Sequence, residues 1–210
     1  MARYRGPRLR VIRRLDELPG LTRKKLSEKK ENKTPGQHGK SLEQQKKQKP
    51  SAYKIRLYEK QKLRYNYGVT ESQLLNYVKE AKRKKGLTGF LLLQLLEMRL
   101  DNILFRMGIT PTIPAARQMI SHCHVLINNK KVNIPSFRCQ PNDLISFNSS
   151  PTTGRLIKKS LSTNMNLSSN SHLRFNNNLL TIEVLNLVER KDITFKVNDM
   201  LVIEYYSRLV

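Results

Sequence analysis

The sequence predicts an α+β protein: a basic N-terminal arm, a small helical domain, and an αβ module of two helices plus an antiparallel sheet, with a C-terminal strand returning to the helical domain. Three observations carry this. Residues 51–121 place apolar side chains at the helical period between recognisable caps. Residues 124–147 and 179–210 contain short apolar runs around turn signals, and the first fifty residues sustain neither period. The expected boundaries are 1–50 for the arm, 51–95 for the helical domain (completed by 192–210), and 96–191 for the αβ module, with a Ser/Asn-rich insertion at 148–178.

In the arm, Arg and Lys recur at irregular intervals around the loop-forming TPGQHGK. The chain of 210 residues carries 40 Lys and Arg against 16 Asp and Glu, a formal charge of +24. That excess opposes compaction unless a polyanion neutralises it. Residues 1–64 hold 21 basic and 6 acidic side chains, residues 100–210 only 13 and 7, so the N-terminal third is the main polyanion-binding segment. Hydrophobic residues make up 38% of the chain, enough for one or two modest cores, and the arm is expected to order only on its partner. Its expected contacts are Arg3, Arg5, Arg8, Arg10, Arg13, Arg14, Arg23, Lys24 and Lys25, with Gln37 and His38 in the loop.

From Ser51 the pattern is helical. Tyr53, Lys54 and Lys62 are further candidate contacts, and Arg56, Lys60 and Arg64 fall at i, i+4 and i+8, while Ile55, Tyr58 and Tyr65 cluster on another face. The expectation is a cationic ridge opposite a packed side. Its turns, about 5.4 Å apart, match the spacing of adjacent phosphates in a strand. Thr70 with Gln73 forms a capping box; Leu74, Leu75, Val78 and Ala81 give an apolar stripe; and Lys82 to Lys85 before Gly86 close the helix with cations. FLLLQLLEMRLDNILFRMG is the central packing helix, in one or two segments, and Pro114 opens a third helix to about Ser121.

HVLIN, an Asn-rich turn and VNI read as a β-hairpin with Lys130 and Lys131 at its tip, and Leu144 to Phe147 as a further strand. The Ser/Asn-rich stretch reads as a loop or extension. LLTIEVLNLV and MLVIEYYSRLV read as returning strands.

The triplet His122, Cys123, His124 resembles part of a metal site. However, consecutive strand residues point to opposite faces, and no CxxC pair accompanies it, so no metal is expected; the histidines fit polar contacts and Cys123 fits packing. GxxxxGK[ST], GxGxxG, GxSxG and HExxH are all missing. Cys123 and Cys139 are too few for a disulfide framework, which points to a reducing compartment. No apolar run approaches the roughly 18 to 20 residues that span a bilayer. The start, MARYRGPRLRVIRR, has neither the apolar centre of a secretory signal nor the serines of a transit peptide and reads as mature protein.

Basic residues spread over an arm, a helix, a short helix and a hairpin suit folded RNA better than the groove of DNA, which a single helix reads. Tyr4, Tyr53 and Tyr67 are candidates for stacking on unpaired bases, with core packing the alternative for Tyr67. The module's contacts are expected from Arg99, Arg117, His122, Lys130 and Lys131. For the carboxylates Glu97 and Asp101, pairing with Arg99 or Arg117 is the ordinary expectation. Two rival readings stand beside this one: an RNA-modifying enzyme and a free mRNA-binding regulator of translation.

MARYRGP, PGQHG, RLYEKQKLRYNYG, LLQLLEMRLDNILFRMG, ARQMISH, VNIPSF followed by PNDLI, and VIEYYSR together resemble the small-subunit ribosomal protein family "S four", in its plastid-type spelling, over nearly the whole chain. The resemblance implies direct binding of small-subunit rRNA at a multi-helix junction, early assembly, no catalysis and no cofactor. It further implies a place in the plastid ribosome beside the protein "S five", where mRNA enters, with Lys40, Lys46, Lys47 and Lys49 facing the message. Neither a membrane nor a second copy of the chain is implied as a partner.

Overall fold

A computed structural model of the protein describes residues 4–24, 26–27, 34–36, 50–148, 154–155, 157, 159–161, 171–176 and 179–207. Among them the helices are α1 (Arg8–Leu15), α2 (Ala52–Tyr67), α3 (Glu71–Arg83), α4 (Thr88–Glu97), α5 (Leu100–Arg106), α6 (Ile113–Ser121) and α7 (Asp199–Ser207). The strands are β1 (Val125–Ile127), β2 (Lys130–Lys131), β3 (Leu144–Phe147), β4 (Leu173–Asn176) and β5 (Thr181–Val184). Two compact units form, one from Met1–Arg83 with Val197–Val210, the other from Lys84–Lys196.

In the first unit, the arm is structured where no period was expected. α1 buries Val11, Ile12 and Leu15, and Leu18 and Leu21 continue the buried set. These positions do follow helical spacing, but eight residues studded with arginine are too short for the period to stand out. The Asn66 side chain accepts a bond from Gly20 N at 3.0 Å, tying the arm to α2.

α2 begins where Ser51 Oγ accepts from Lys54 N and ends at Gly68 in the left-handed region, φ 61°. Its packed face is not the expected one. Lys60, Leu63, Asn66 and Tyr67 are buried, whereas Ile55 is exposed. The would-be cationic ridge faces carboxylates: Arg56 pairs with Glu204 at 2.7 Å, Lys60 with Glu71 at 2.9 Å. The second of these comes from α3, which opens with the expected capping box: Gln73 N donates to Thr70 Oγ1 and Thr70 N to Gln73 Oε1.

The expected C-terminal strand is a helix, α7. Val202 and Tyr206, four apart, are both buried. The Asn198 side chain accepts from Leu201 N, a helix-start bond, and Asn198 N donates to Glu59 on α2. A run such as MLVIEYYS fits either period, and its partners on α2 and α3 decide for the helix.

In the second unit, the long apolar run divides at Met98 and Arg99. Arg99 is extended and bridges to Arg138, Cys139 N donates to Met98 O, and Leu100 N and Asp101 N donate to the carbonyls of Phe137 and Pro135. The chain after the hairpin is thereby stitched into the helix break. α6 is capped by Thr112, whose side chain accepts from Ala115 N, with Pro114 in its first turn.

The sheet is antiparallel throughout, in the order β2-β1-β3-β5-β4. Val125, Ile127, Ile145, Leu173, Ile182 and Val184 share one core with Leu100, Ile103 and Leu104 of α5 and Ala116 and Ile120 of α6. The hairpin differs in detail from expectation. Asn128 and Asn129 form the turn, at φ 49° and 65°, and the second strand is the two lysines themselves rather than VNI. Positive φ at both turn residues is the geometry whose twist matches paired strands. The Ser/Asn-rich stretch also contributes more than a loop: Ile157 lies in the core and β4 pairs along β5. The rest of that stretch lies largely outside the described residues.

Candidate RNA-binding surface

In the first unit, α1 turns its apolar side inward, which leaves Arg8, Arg10 and Arg14 exposed, with Arg5, Arg23 and Lys24 exposed at its flanks. Arg13 is half-buried and donates to Thr34 O at 3.3 Å. Lys54 and Tyr53 are exposed at the start of α2; Lys62 is half-buried. Tyr4 packs edge-on against Tyr65 with centroids 5.2 Å apart, and Tyr67 is a core residue rather than a stacking platform. Arg3, Lys25, Gln37 and His38, with Lys40, Lys46, Lys47 and Lys49, lie outside the described residues.

The Arg56, Lys60, Arg64 row is occupied within the protein. Lys60 keeps only 4% of its side chain exposed and lies 4.9 Å from the Tyr205 ring centroid. Glu71 receives Lys60, Arg64 at 3.6 Å and the Tyr206 hydroxyl at 2.6 Å. Burial pushes the Glu71 carboxyl up, but the bonds from Tyr206 and Lys60 and the charges of Lys60 and Arg64 outweigh it and hold the group below its ordinary value. Burial, then the Glu71 bond, pushes Tyr206 far up.

In the second unit, His122 is exposed at the end of α6, and Lys130 and Lys131 stand exposed beside the hairpin turn. The turn is braced from behind. Asn128 donates to Asp143 Oδ1 at 2.9 Å and its side-chain oxygen accepts from Leu144 N at 3.0 Å. The His122 and His124 rings lie 6.1 Å apart, and Cys123, at φ 59°, makes the bend between α6 and β1. Cys139 packs in the core, where burial and then Asp143 and Asp101 push its thiol far up.

Arg99 and Arg117, expected at the contact surface, are interior instead. Arg99 donates to both oxygens of Asp101, at 3.0 and 2.9 Å, and Arg117 Nε to the same carboxylate at 2.7 Å. Asp101 is 1% exposed. A second buried carboxylate, Glu97, takes Arg106 and Asn102. Four charged groups at 1–7% exposure survive burial only because they are paired. The sequence offered Arg99 and Arg117 two roles, contact with RNA and pairing with Glu97 or Asp101, and the fold realises the second. The sequence reading assigned no contact to exposed Arg138, Arg155, Lys159 and Arg174, the last 3.9 Å from Glu183, nor to Lys82–Lys85, whose run was the available signal.

Lysines exposed on a braced antiparallel sheet beside a polar helix end, over arginines matched to carboxylates, give a protein of helices and sheet a surface suited to RNA. Residues 3–97 match the family model described as "Ribosomal protein S4/S9 N-terminal domain", and residues 98–145 match "S4 domain". "Small ribosomal subunit protein uS4c" of Oltmannsiellopsis viridis is 53% identical over 99% of this chain and 100% of its own length. "Small ribosomal subunit protein uS4" of Thermosynechococcus vestitus is 51% identical over 100% of both chains, and the uS4c protein of Emiliania huxleyi 50% over 100% of both. The chain belongs to the uS4 family of small ribosomal subunit proteins. It is a plastid-type ribosomal protein and not an enzyme.

Proposed function

We propose that this protein binds small-subunit rRNA directly at a multi-helix junction, nucleates assembly there, and helps line the region where mRNA enters, beside the protein "S five". The observation that supports rRNA contact best is the sorting of cations. Arg99, Arg106 and Arg117 are consumed by Asp101 and Glu97, whereas Lys130, Lys131 and Arg8, Arg10 and Arg14 of α1 are exposed. Cations left outside a paired interior are the ones available to phosphates. Contacts of this kind position the protein on RNA whose own shape supplies the selectivity.

On this reading, the direct contacts are Arg5, Arg8, Arg10, Arg14, Arg23, Lys24, Tyr53, Lys54, His122, Lys130 and Lys131. Arg3, Lys25, Gln37 and His38 add contacts. Lys40, Lys46, Lys47 and Lys49 face the message. The test is the salt dependence of binding to a small-subunit rRNA transcript. Each lysine lost in Lys130→Ala/Lys131→Ala should flatten the log-affinity against log-salt slope by about 0.7 to 0.9. Lys60→Met should leave it unchanged. An unchanged slope in the hairpin variant, or equal affinity of the unaltered protein for random duplexes, sinks the reading.

A further inference from the structure

We infer that Asp101 is a positioning residue for RNA binding: it never meets RNA, yet it holds in register the helix that ends at exposed His122 and the segment that follows the lysine hairpin. This rests on the rRNA-binding role proposed above. The Asp101 carboxylate joins two arginines from different elements, Arg99 at the helix break and Arg117 in the middle of α6. Its backbone N–H reaches the other direction, donating to Pro135 O at 3.2 Å, beside Leu100 N donating to Phe137 O at 2.9 Å. One residue therefore ties α6, which ends at exposed His122, to the segment that leaves the Lys130–Lys131 strand and carries exposed Arg138.

A buried triad of this kind is a poor device for stability alone, because apolar groups of similar volume hold a core as well or better. What it supplies is direction. The bidentate fork of Arg99 and the single bond of Arg117 fix angles as well as distances, which apolar packing does not. Phosphates sit at set spacings along a folded RNA, so a shift between α6 and the hairpin segment lowers affinity without removing any charge.

The test uses the full chain and a small-subunit rRNA transcript, with two variants: Asp101→Asn, and the apolar replacement Arg99→Met/Asp101→Leu/Arg117→Met. Both should lose affinity roughly three- to thirtyfold, the range for residues that act on a site through intervening structure. The salt slope should stay that of the unaltered protein, since no phosphate contact is removed. Far-ultraviolet circular dichroism and urea unfolding report whether each variant is folded. If the apolar variant is folded and binds as tightly as the unaltered protein, the triad is only filler and the inference is overturned. A folded variant with a flattened slope would make these arginines direct contacts and overturn it equally. If both variants unfold, the triad is a stability element and the inference falls. Failure of the unaltered protein to prefer rRNA over random duplex is a separate outcome that removes the underlying role itself.

Discussion

Glu71→Gln should loosen the first unit by about 2 kcal/mol, and the structure shows why. The Lys60 ammonium is 4% exposed while its partner Glu71 is 45% exposed, 2.9 Å away. Removing one member of a buried pair costs roughly 3–5 kcal/mol because the other charge is left stranded. Here the half-exposed carboxylate lets water recover about half of that. The bond from Tyr206, which carries α7, weakens as its acceptor loses charge. Since the chain has two compact units, a single unfolding midpoint mixes them. Amide hydrogen exchange read peptide by peptide separates them. A loss of about 2 kcal/mol raises exchange roughly thirtyfold across α2 and α7 and leaves β1, β3 and β5 unaltered. In a Lys60→Met background the same substitution should cost less than half as much. Exchange within about threefold of the unaltered protein, or an equal cost in both backgrounds, would refute the claim that Lys60 depends on Glu71.

Glu71 also sets an acid limit. Its folded carboxyl lies below the ordinary 4.5, so its stabilisation is complete above that value and is lost as pH falls through the folded one; exchange of α7 should rise there in the native chain and not in Glu71→Gln. His172 works in the second unit at higher pH. It is buried, with no hydrogen-bond partner at either ring nitrogen, and desolvation depresses it against the pull of Asp192 and Glu97, with Arg106 adding to the depression. Below its ordinary 6.5 the unfolded chain takes up a proton that the fold resists, so stability falls as pH drops past 6.5, and His172→Leu should flatten that dependence in urea titrations at stepped pH. Asn128→Ala should cost about 2 kcal/mol, from a left-handed φ without Asn and from the lost bond to Leu144 N, whereas Asn129→Gly should be neutral or stabilising; proteolysis of the hairpin would report both.

Much of the architecture was legible in local sequence. The capping box at Thr70, Pro114 in the first turn of α6 and the paired asparagines of the hairpin each specify a backbone event within a few residues. α1 escaped because its apolar period is only two turns long, and β4 because it sits in a Ser/Asn-rich stretch whose pairing with β5 no local pattern announces. The cationic surface was only half legible. Charge count identifies a polyanion binder, but it cannot separate a cation facing water from one facing a carboxylate.

The sequence by itself determined the polyanion-seeking character, the α+β class and the turn and cap positions, because these follow from composition and from neighbours along the chain. Tertiary structure alone decided that residues 199–207 coil rather than extend, which side of α2 is packed, and that Arg99 and Arg117, offered by the sequence both to a carboxylate and to the contact surface, take the carboxylate. Those outcomes depend on partners up to 148 positions away, as with Arg56 and Glu204. A charge becomes structural or functional according to what folding places opposite it.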